Sequence, residues 1–286
     1  MNLRSLKTKI KSIGNVGQIT KAMQLVSAVK MKKSQLRASE GKPYRQTLEE
    51  TMKKVISTGK QTEHPLTKIS KNQKLPTLVI IVSSNKGLCG VFNFNLFRFV
   101  DKQLNGQYEN YQFVVLGNKA QQFLFHTGAK VVADFSDKIP FQNNVSAIYD
   151  FLVDRFMTGQ VKQVEIYFNS FVSSLVYQPT RKILLPMDVS SFFENEDKTT
   201  KIDYLIEPSA YEVMDGLFSF YIESTILGAI EESEASEHSA RMIAMKNATD
   251  NTTELVDRLS LLRNSLRQTR ITNELLDMNT AKLAVS

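Results

Sequence analysis

The C-terminal part of the chain, from residue 208 onward, constrains the fold most, because it has the pattern of one very long helix. From Leu217 to Leu283 there is no proline, and the only glycine is Gly228. Residues of high helix propensity recur throughout. Pro208, followed by a Ser-x-x-Glu capping box, marks the expected start. At about 1.5 Å per residue such a helix is on the order of 100 Å long, so no small domain can bury it alone and it needs a partner along its side.

Residues 1–57 supply that partner. Their apolar residues recur mostly three or four apart, which is the stripe of a helix that buries one side. The stripe contains Leu3, Leu6, Ile10, Ile13, Val16, Ile19, Met23 and Val26. If the middle of the chain begins and ends in the same place, the two helices run antiparallel. This arrangement predicts Gly17 opposite Ala248 and Thr20 opposite Met245.

The same pairing predicts two further features. It sets basic residues of the first helix beside acidic residues of the last: Lys30, Lys32, Lys33 and Arg37 beside Glu231, Glu232, Glu234 and Glu237. It also leaves roughly the last twenty residues with no helix of this chain alongside. That tail carries Leu266, Ile271, Leu275, Leu276, Met278, Leu283 and Val285. An isolated apolar helix is marginal in water, so another protein is expected to cover it.

Three residues interrupt the first helix. Gly14 and Gly17 each cost about 1 kcal/mol relative to alanine in a helix interior, so replacing both with alanine is expected to raise thermal stability. Pro43 lacks a backbone donor and is expected to bend or shift the helix.

The charge of the chain is unevenly distributed. The first sixty residues hold 14 Lys or Arg against 3 acidic residues, whereas the remainder holds 22 against 26. A basic helical arm is typical of proteins that bind nucleic acid or membrane surfaces, but it also suits an acidic protein surface. No zinc-finger spacing or RNA-binding signature accompanies it. A basic coiled-coil scaffold that binds nucleic acid stays as the alternative function.

Composition excludes several other classes. The single cysteine, Cys89, cannot form an internal disulfide and is typical of a reducing compartment. No run approaches the ~20 apolar residues that cross a bilayer, and no signal peptide is expected. The chain is therefore not expected to span a membrane.

Strands and helices alternate in the middle of the chain. The predicted strands are 77–83, 111–116, 130–135, 161–171 and 175–185, and the predicted helices are 91–104, 118–126 and 143–157. This order indicates an α/β fold with a mostly parallel, Rossmann-like sheet, whose last two strands form a hairpin. Residues 188–206 are expected to be irregular. The predicted division is 1–57 N-terminal coiled-coil helix, 58–76 linker, 77–207 Rossmann-like domain and 208–286 C-terminal coiled-coil helix.

The loop after the first strand is where such sheets bind nucleotides. Its sequence, Asn85 to Gly90, matches neither G-x-G-x-x-G nor a P-loop, so a tight strand-to-helix connection is favoured. Cys89 has no histidine nearby to act as a base. His64, His126 and His238 lack metal-ligand spacing. The sequence thus predicts no catalytic residue, cofactor or metal, and a chain that is not an enzyme on its own.

Several motifs together resemble the gamma subunit of F-type ATP synthases, and the likeness covers essentially the whole chain. They are Ile19-Thr20-Lys21-Ala22-Met23, Gly87-Leu88-Cys89-Gly90, Ala235-Ser236-Glu237-His238-Ser239-Ala240-Arg241-Met242, Ala244-Met245-Lys246, Ala248-Thr249-Asp250-Asn251, Arg267-Gln268 and Ile271-Thr272-Asn273-Glu274-Leu275. The chain departs from the family at Asn85, where Asp is usual, and at Val91, where a second Gly is usual. These two departures weaken the inference that this loop has the same role here as in the family.

The resemblance implies a rotary shaft. Its paired helices would turn inside a ring of three alpha and three beta subunits, and its α/β domain, with epsilon, would sit on the c-subunit ring. Ion flow would drive rotation, and ATP chemistry would belong to beta. The complex would lie on the cytoplasmic face of the bacterial inner membrane. Residues matching family positions that contact or influence beta are Met23, Arg241, Arg267, Gln268, Thr272 and Glu274.

Overall fold

A computed structural model describes residues 3–57, 64–70, 72–137, 140–188 and 205–285. Two long helices, α1 (Leu3–Ser57) and α5 (Ala210–Val285), begin and end the fold. Between them lie β1 (Thr77–Val82), α2 (Phe92–Leu104), β2 (Tyr111–Leu116), α3 (Asn118–Thr127), β3 (Val131–Asp134), α4 (Val145–Met157), β4 (Gln163–Phe171) and β5 (Tyr177–Leu185). Short 3₁₀ turns occupy Pro65–Thr67, Tyr108–Asn110 and Phe141–Asn144.

The strands form one five-stranded sheet in the order β3-β2-β1-β4-β5. β1 pairs in parallel with β2 and β4, β2 pairs in parallel with β3, and β4 and β5 form an antiparallel hairpin. The predicted fold class, a mostly parallel α/β sheet with long terminal helices, is confirmed. All six residues of β1 are buried, which requires helices on both faces of the sheet.

Each face of the sheet has its own apolar core. On one face, α2 and α3 cover Val79, Ile81, Phe113 and Val115. The other face is covered by α4 and by residues 214–230 of α5. That second core includes Leu78, Ile80 and Val82 of β1, Ile148 and Leu152 of α4, and Phe218, Ile222 and Ile226 of α5. The start of the long helix is therefore part of the sheet's core.

The chain groups into two compact units. The sheet unit is Val29–Ala240, and the terminal unit is Met1–Ala28 with Arg241–Ser286. The long helices α1 and α5 each contribute to both. The predicted division at residues 57, 76 and 207 stays a prediction, and parts of the predicted linker and irregular segment, 58–63, 71 and 189–204, lie outside the described residues.

In the sheet unit, one of the four basic residues of α1 expected to lie beside acidic residues of α5, Arg37, forms an ion pair there, whereas Lys30 and Lys33 pair with no described acidic residue. The Arg37 Nη2 atom lies 3.0 Å from Glu234 Oε2. Further along, Tyr221 donates a hydrogen bond to Glu49 at 3.2 Å. Part of the basic charge of α1 is thus neutralised within the chain, which weakens the nucleic-acid alternative.

The side chain of Arg45 in α1 lies against Gly228 of α5. The guanidinium group donates to the Ser224 carbonyl at 3.4 Å and lies directly over Gly228, where a Cβ atom would collide with it. Nearby, Pro43 is exposed and α1 continues through it. The carbonyl of residue 39 that loses its helical donor at Pro43 belongs to an exposed residue, where water can bind it.

In the terminal unit, α1 and α5 run antiparallel, but their predicted alignment is wrong by about one turn. The hydroxyl oxygens of Thr20 and Thr249 lie 2.8 Å apart, and Gly17 faces Thr252. The expected partners were Met245 and Ala248. A shift of one helical turn keeps the same side of each helix facing its partner, so the spacing of apolar residues does not determine which turns lie opposite each other.

The buried side of α1 in this unit also differs from the prediction. Val16, Ile19 and Val26 are 47%, 59% and 56% exposed. The side that packs runs through Leu6, Ile10, Ile13, Gly17, Thr20 and Ser27, with the alternating spacing of four and three that a helix pair maintains. Small and hydroxyl-bearing residues replace apolar ones there, so the spacing of apolar residues did not indicate this side of the helix.

The two glycines of α1 are expected to respond oppositely to alanine. At Gly14 a Cβ meets nothing within 4 Å, so Gly14→Ala should stabilise by about 1 kcal/mol, raising the unfolding midpoint by roughly 2–4 °C. At Gly17 the Cβ would lie 2.8 Å from Thr252 Oγ1. Thr252 is β-branched and its hydroxyl donates to the Thr249 carbonyl, so it has little freedom to move.

Thermal unfolding of the two single variants measures this difference. Gly17→Ala should lower the midpoint, which corrects the expectation that replacing both glycines stabilises the protein. An equal rise for both variants would show that Thr252 rotates away without cost.

His64 anchors the turn Pro65–Thr67 to α5. It is 3% exposed, and its Nδ1 atom accepts a hydrogen bond from the Leu66 backbone at 3.2 Å. Because Nδ1 accepts, Nε2 carries the proton and donates to Asp215 Oδ1, 3.2 Å away. The rings of Tyr211 and Phe218 pack against the imidazole.

Burial lowers the pKa of His64 below its usual 6.5, against the opposing effect of Asp215. The unfolded chain therefore takes up this proton at a higher pH than the folded protein. The free energy of unfolding should decrease as the pH falls below about 6.5 and through the folded pKa. Urea unfolding between pH 7.5 and pH 5 measures the slope. His64→Gln should flatten it, whereas His126→Gln, which removes an exposed histidine, should not.

Candidate partner-binding surfaces

The last turns of α5 form an exposed surface with a candidate role. Every described side chain from Arg267 to Ala281 is exposed, including four large apolar residues. These are Ile271, Leu275, Leu276 and Met278, with exposed fractions of 47%, 57%, 56% and 69%. The expectation that the tail lacks a covering helix of this chain is confirmed for the described side chains.

Four of the six predicted contact residues lie on these turns. Arg267, Gln268, Thr272 and Glu274 are all exposed. The Thr272 hydroxyl donates to the Gln268 carbonyl at 3.0 Å, and Glu274 pairs with Arg270 at 2.7 Å. An exposed ion pair of this type contributes roughly 0 to 1 kcal/mol to stability, so Glu274 can leave Arg270 and bind another partner at little cost.

Met23 and Arg241 are placed differently. Met23 is half-buried on α1, and its carbonyl accepts a hydrogen bond from the Ser27 hydroxyl at 2.7 Å. Arg241 is only 9% exposed. The structure therefore does not present these two residues as openly as the other four.

A second exposed apolar surface on α1 was not anticipated. It consists of Val16, Ile19, Leu25 and Val26, each between 47% and 59% exposed. The sequence does indicate such a surface, since the apolar residues of α1 cover more of the helix than one stripe can bury.

Asn85 explains the geometry of the loop after β1. Its side-chain oxygen accepts a hydrogen bond from the backbone of Asn118 at 2.8 Å, and its side-chain nitrogen donates to the Ser136 carbonyl at 3.0 Å. One amide thus ties together the segments that follow β1, β2 and β3. An ionised aspartate could make the first bond but not the second. The loop is a tight connection, as favoured from the sequence.

Neither thiol nor metal chemistry is apparent in the described part of the chain. Cys89 is buried, with Asn93 Nδ2 at 3.2 Å from its sulfur. Among the described residues no group of three or more His, Cys, Asp or Glu side chains could hold a metal ion.

One described helix could cross a membrane by length and composition alone, which the sequence interpretation overlooked. Within Ala210–Ala281 an 18-residue window has a mean hydropathy of 1.3, and half of that window is buried. The packing of α5 in the core of the sheet unit accounts for this apolar character.

Comparison with known proteins identifies the family. The family model described as ATP synthase matches residues 2–285. An ATP synthase gamma chain from Methylacidiphilum infernorum is 36% identical, covering 99% of this chain and 98% of that protein. One from Cupriavidus metallidurans is 35% identical, covering 99% of each.

Solved structures of ATP synthases contain chains similar to this one. The central stalk and c-ring of the Tetrahymena thermophila mitochondrial ATP synthase contains a chain 26% identical, with a TM-score of 0.58, over 80% of this chain and 99% of that one. A chain of the Euglena gracilis mitochondrial enzyme shares the fold, with a TM-score of 0.66 at 18% identity, over 99% of this chain and 94% of that one. The chain therefore belongs to the ATP synthase gamma chain family, the central-stalk subunits of F-type ATP synthases.

Proposed function

We propose that the chain is the rotating shaft that couples ion-driven rotation of a c-subunit ring to ATP synthesis or hydrolysis in beta subunits. The chain itself is non-catalytic in this proposal. Its partners are a ring of alpha and beta subunits, epsilon and the c ring, and it lies peripherally on the cytoplasmic face of a bacterial inner membrane. α5 does not span that membrane, because its apolar side is used inside the sheet unit.

The observation that supports this proposal most is the exposure of the last turns of α5. Ile271, Leu275, Leu276 and Met278 form an apolar surface that no described residue of this chain covers. Stable soluble proteins leave such surfaces open where a partner binds them. In the proposed assembly, a socket formed by the alpha and beta subunits covers these turns.

The six predicted contact residues take two roles in this proposal. Arg267, Gln268, Thr272 and Glu274 lie exposed on the covered turns and contact the surrounding subunits directly. Met23 and Arg241 are more buried, and they influence beta by fixing the position of the two helices.

Coexpression with alpha and beta subunits tests the shaft assignment. The assembled complex carrying Arg267→Ala with Gln268→Ala should hydrolyse ATP at least about tenfold more slowly, because each lost polar contact is worth about 1–3 kcal/mol. Deleting residues 266–286 should have a larger effect. ATPase rates and ATP-driven ion pumping in membrane vesicles measure both.

Lys102→Ala with Gln103→Ala is the matched control, since it removes the same kind of exposed pair from α2. This control should leave rate and pumping unchanged. An intact, fully coupled complex after the 266–286 deletion would contradict the proposed role of the terminal turns. Salt-sensitive binding of DNA by the full chain, with no assembly, would favour the nucleic-acid alternative.

A further inference from the structure

A basic cleft in the sheet unit has no role in the shaft proposal. It lies where α1, α5 and the turn Phe141–Asn144 meet, with a volume of about 210 Å³. The side chains that define it are Lys30, Lys33, Ser34 and Arg37 of α1, Gln142 of the turn, and His238 of α5. Three separate elements thus surround one small space.

The cleft has an excess of positive charge. Arg37 is paired with Glu234, which also lines the cleft. Lys30 and Lys33, one helical turn apart on α1, have no ion pair with any described residue. Two positive charges are therefore left without compensation beside the same space, which favours an anion with two negative charges.

Unsatisfied hydrogen-bonding atoms point to the same conclusion. Both side-chain amide atoms of Gln142 are buried without a hydrogen-bond partner, and so is the Nε atom of Arg37. Buried polar atoms without a protein partner usually bind water or an ion. Here the donors include two ammonium groups, a guanidinium N–H and an amide, which together match an acceptor with several oxygens.

The cleft is small and open to solvent. At about 30 Å³ for each water molecule, the cleft holds roughly seven waters. This is less than the ~300 Å³ at which pockets for drug-sized molecules begin. A tetrahedral oxoanion with some of its hydration fits this volume, whereas most of a nucleotide would lie outside it.

We propose that this cleft is a binding site for a dianionic tetrahedral oxoanion of the phosphate type, held by Lys30, Lys33, Arg37 and Gln142. A bound anion would link α1 to the turn before α4, and so would stabilise the sheet unit. None of these residues belongs to the terminal turns of α5. The phosphate site can therefore be disproved while the shaft assignment stands, and the shaft assignment can be disproved while the site stands.

Calorimetric titration of the full chain with inorganic phosphate tests the site, with potassium chloride at equal ionic strength as the reference. Saturable binding of one phosphate per chain is expected, together with a rise in the thermal midpoint. Lys30→Gln with Lys33→Gln should weaken binding about a hundredfold, since each charged hydrogen bond is worth about a factor of ten. Sulfate should bind similarly, and ADP should bind no more tightly than phosphate.

Lys32→Gln with Lys42→Gln provides the matched control, because both lysines are exposed on α1 and neither lines the cleft. It should change phosphate affinity less than twofold. Gln142→Leu keeps the charge and should still weaken binding about tenfold, which tests the site even if the double lysine variant misfolds. The proposal would be overturned if the control and cleft variants lost phosphate affinity equally, or if the natural sequence showed no saturable phosphate binding. Tighter binding of ADP than of phosphate would overturn it as well.

Discussion

Gly117→Ala is expected to destabilise the sheet unit by about 3 kcal/mol or more, a large part of the free energy of unfolding of a typical domain. Gly117 has φ of +103° and lies between the end of β2 and the start of α3. A Cβ atom there would overlap the Ser83 carbonyl oxygen and come within 2.7 Å of the Ser83 Oγ atom.

Ser83 cannot move aside, because it follows the central strand and is held on several sides. Its backbone N–H donates to the Leu116 carbonyl at 2.8 Å, and its hydroxyl donates to the Gly117 carbonyl at 3.1 Å. The same hydroxyl accepts a hydrogen bond from the backbone of Ala120 at 2.9 Å. Relieving the overlap would break the bonds that connect β1, β2 and α3.

Urea unfolding followed by circular dichroism measures this effect, with Gly128→Ala as the control. Gly128 also has a positive φ, of +68°, but a Cβ there meets nothing within 4 Å. Its replacement should cost only the backbone strain of roughly 1–2 kcal/mol. If Gly117→Ala costs no more than Gly128→Ala, the predicted overlap with Ser83 does not occur.

Arg181→Met is expected to cost about 3 kcal/mol, because it leaves the buried Glu165 carboxylate without its cation. Glu165 is 3% exposed, and Arg181 donates to it from Nε at 2.8 Å and from Nη2 at 2.6 Å. Tyr167 donates to the same carboxylate at 2.9 Å, and burial beside Glu165 raises the pKa of that tyrosine. The expected loss is at the low end for buried pairs, since Arg181 itself is partly exposed.

Two further variants distinguish the cost of an uncompensated buried charge from the cost of lost packing. Adding Glu165→Gln to Arg181→Met should recover much of the stability, because the uncompensated charge is gone. Arg258→Met breaks a pair with Glu254 that is just as short, 2.6 Å, but exposed, and should cost less than about 1 kcal/mol. Chemical denaturation measures all three, and equal losses for Arg181→Met and Arg258→Met would contradict the predicted role of burial.

The sheet could be predicted from the sequence because its signals are local. The run Leu78–Val82 is apolar throughout, and helices separate the first four strands from one another, which leaves few topologies other than a parallel sheet for these strands. Strand and helix limits agree with the structure within about two residues. The long helices were equally predictable, the last one from its scarcity of glycine and proline and the first from its apolar residues three or four apart.

The contact between the long helices was not predictable in the same way. A stripe identifies the side of a helix that packs, yet hydroxyl-bearing residues such as Thr20 and Ser27 can line that side as well as apolar ones. Which level of α5 lies opposite each turn of α1 depends on the sheet unit that joins them. No pattern within either helix specifies it.

The candidate surfaces likewise differ in how far the sequence predicts them. Exposure of Arg267 and the turns after it followed from comparing the lengths of two helices, which sequence alone provides. The cleft around Lys30 and Gln142 brings together residues from three distant segments, and the bonds of Asn85 join three more. Only the folded chain shows such combinations.

The continuity of α5 through its uncovered end has a consequence for how the complex is assembled. A free peptide of this length would have to form a first helical turn unaided, which is the costly step in making a helix. Here the earlier turns of α5 already provide it, so the terminal residues only extend an existing helix, one hydrogen bond at a time. In the proposed assembly, the surrounding subunits would then gain almost the full contact energy of these residues, because little of it is lost in ordering them.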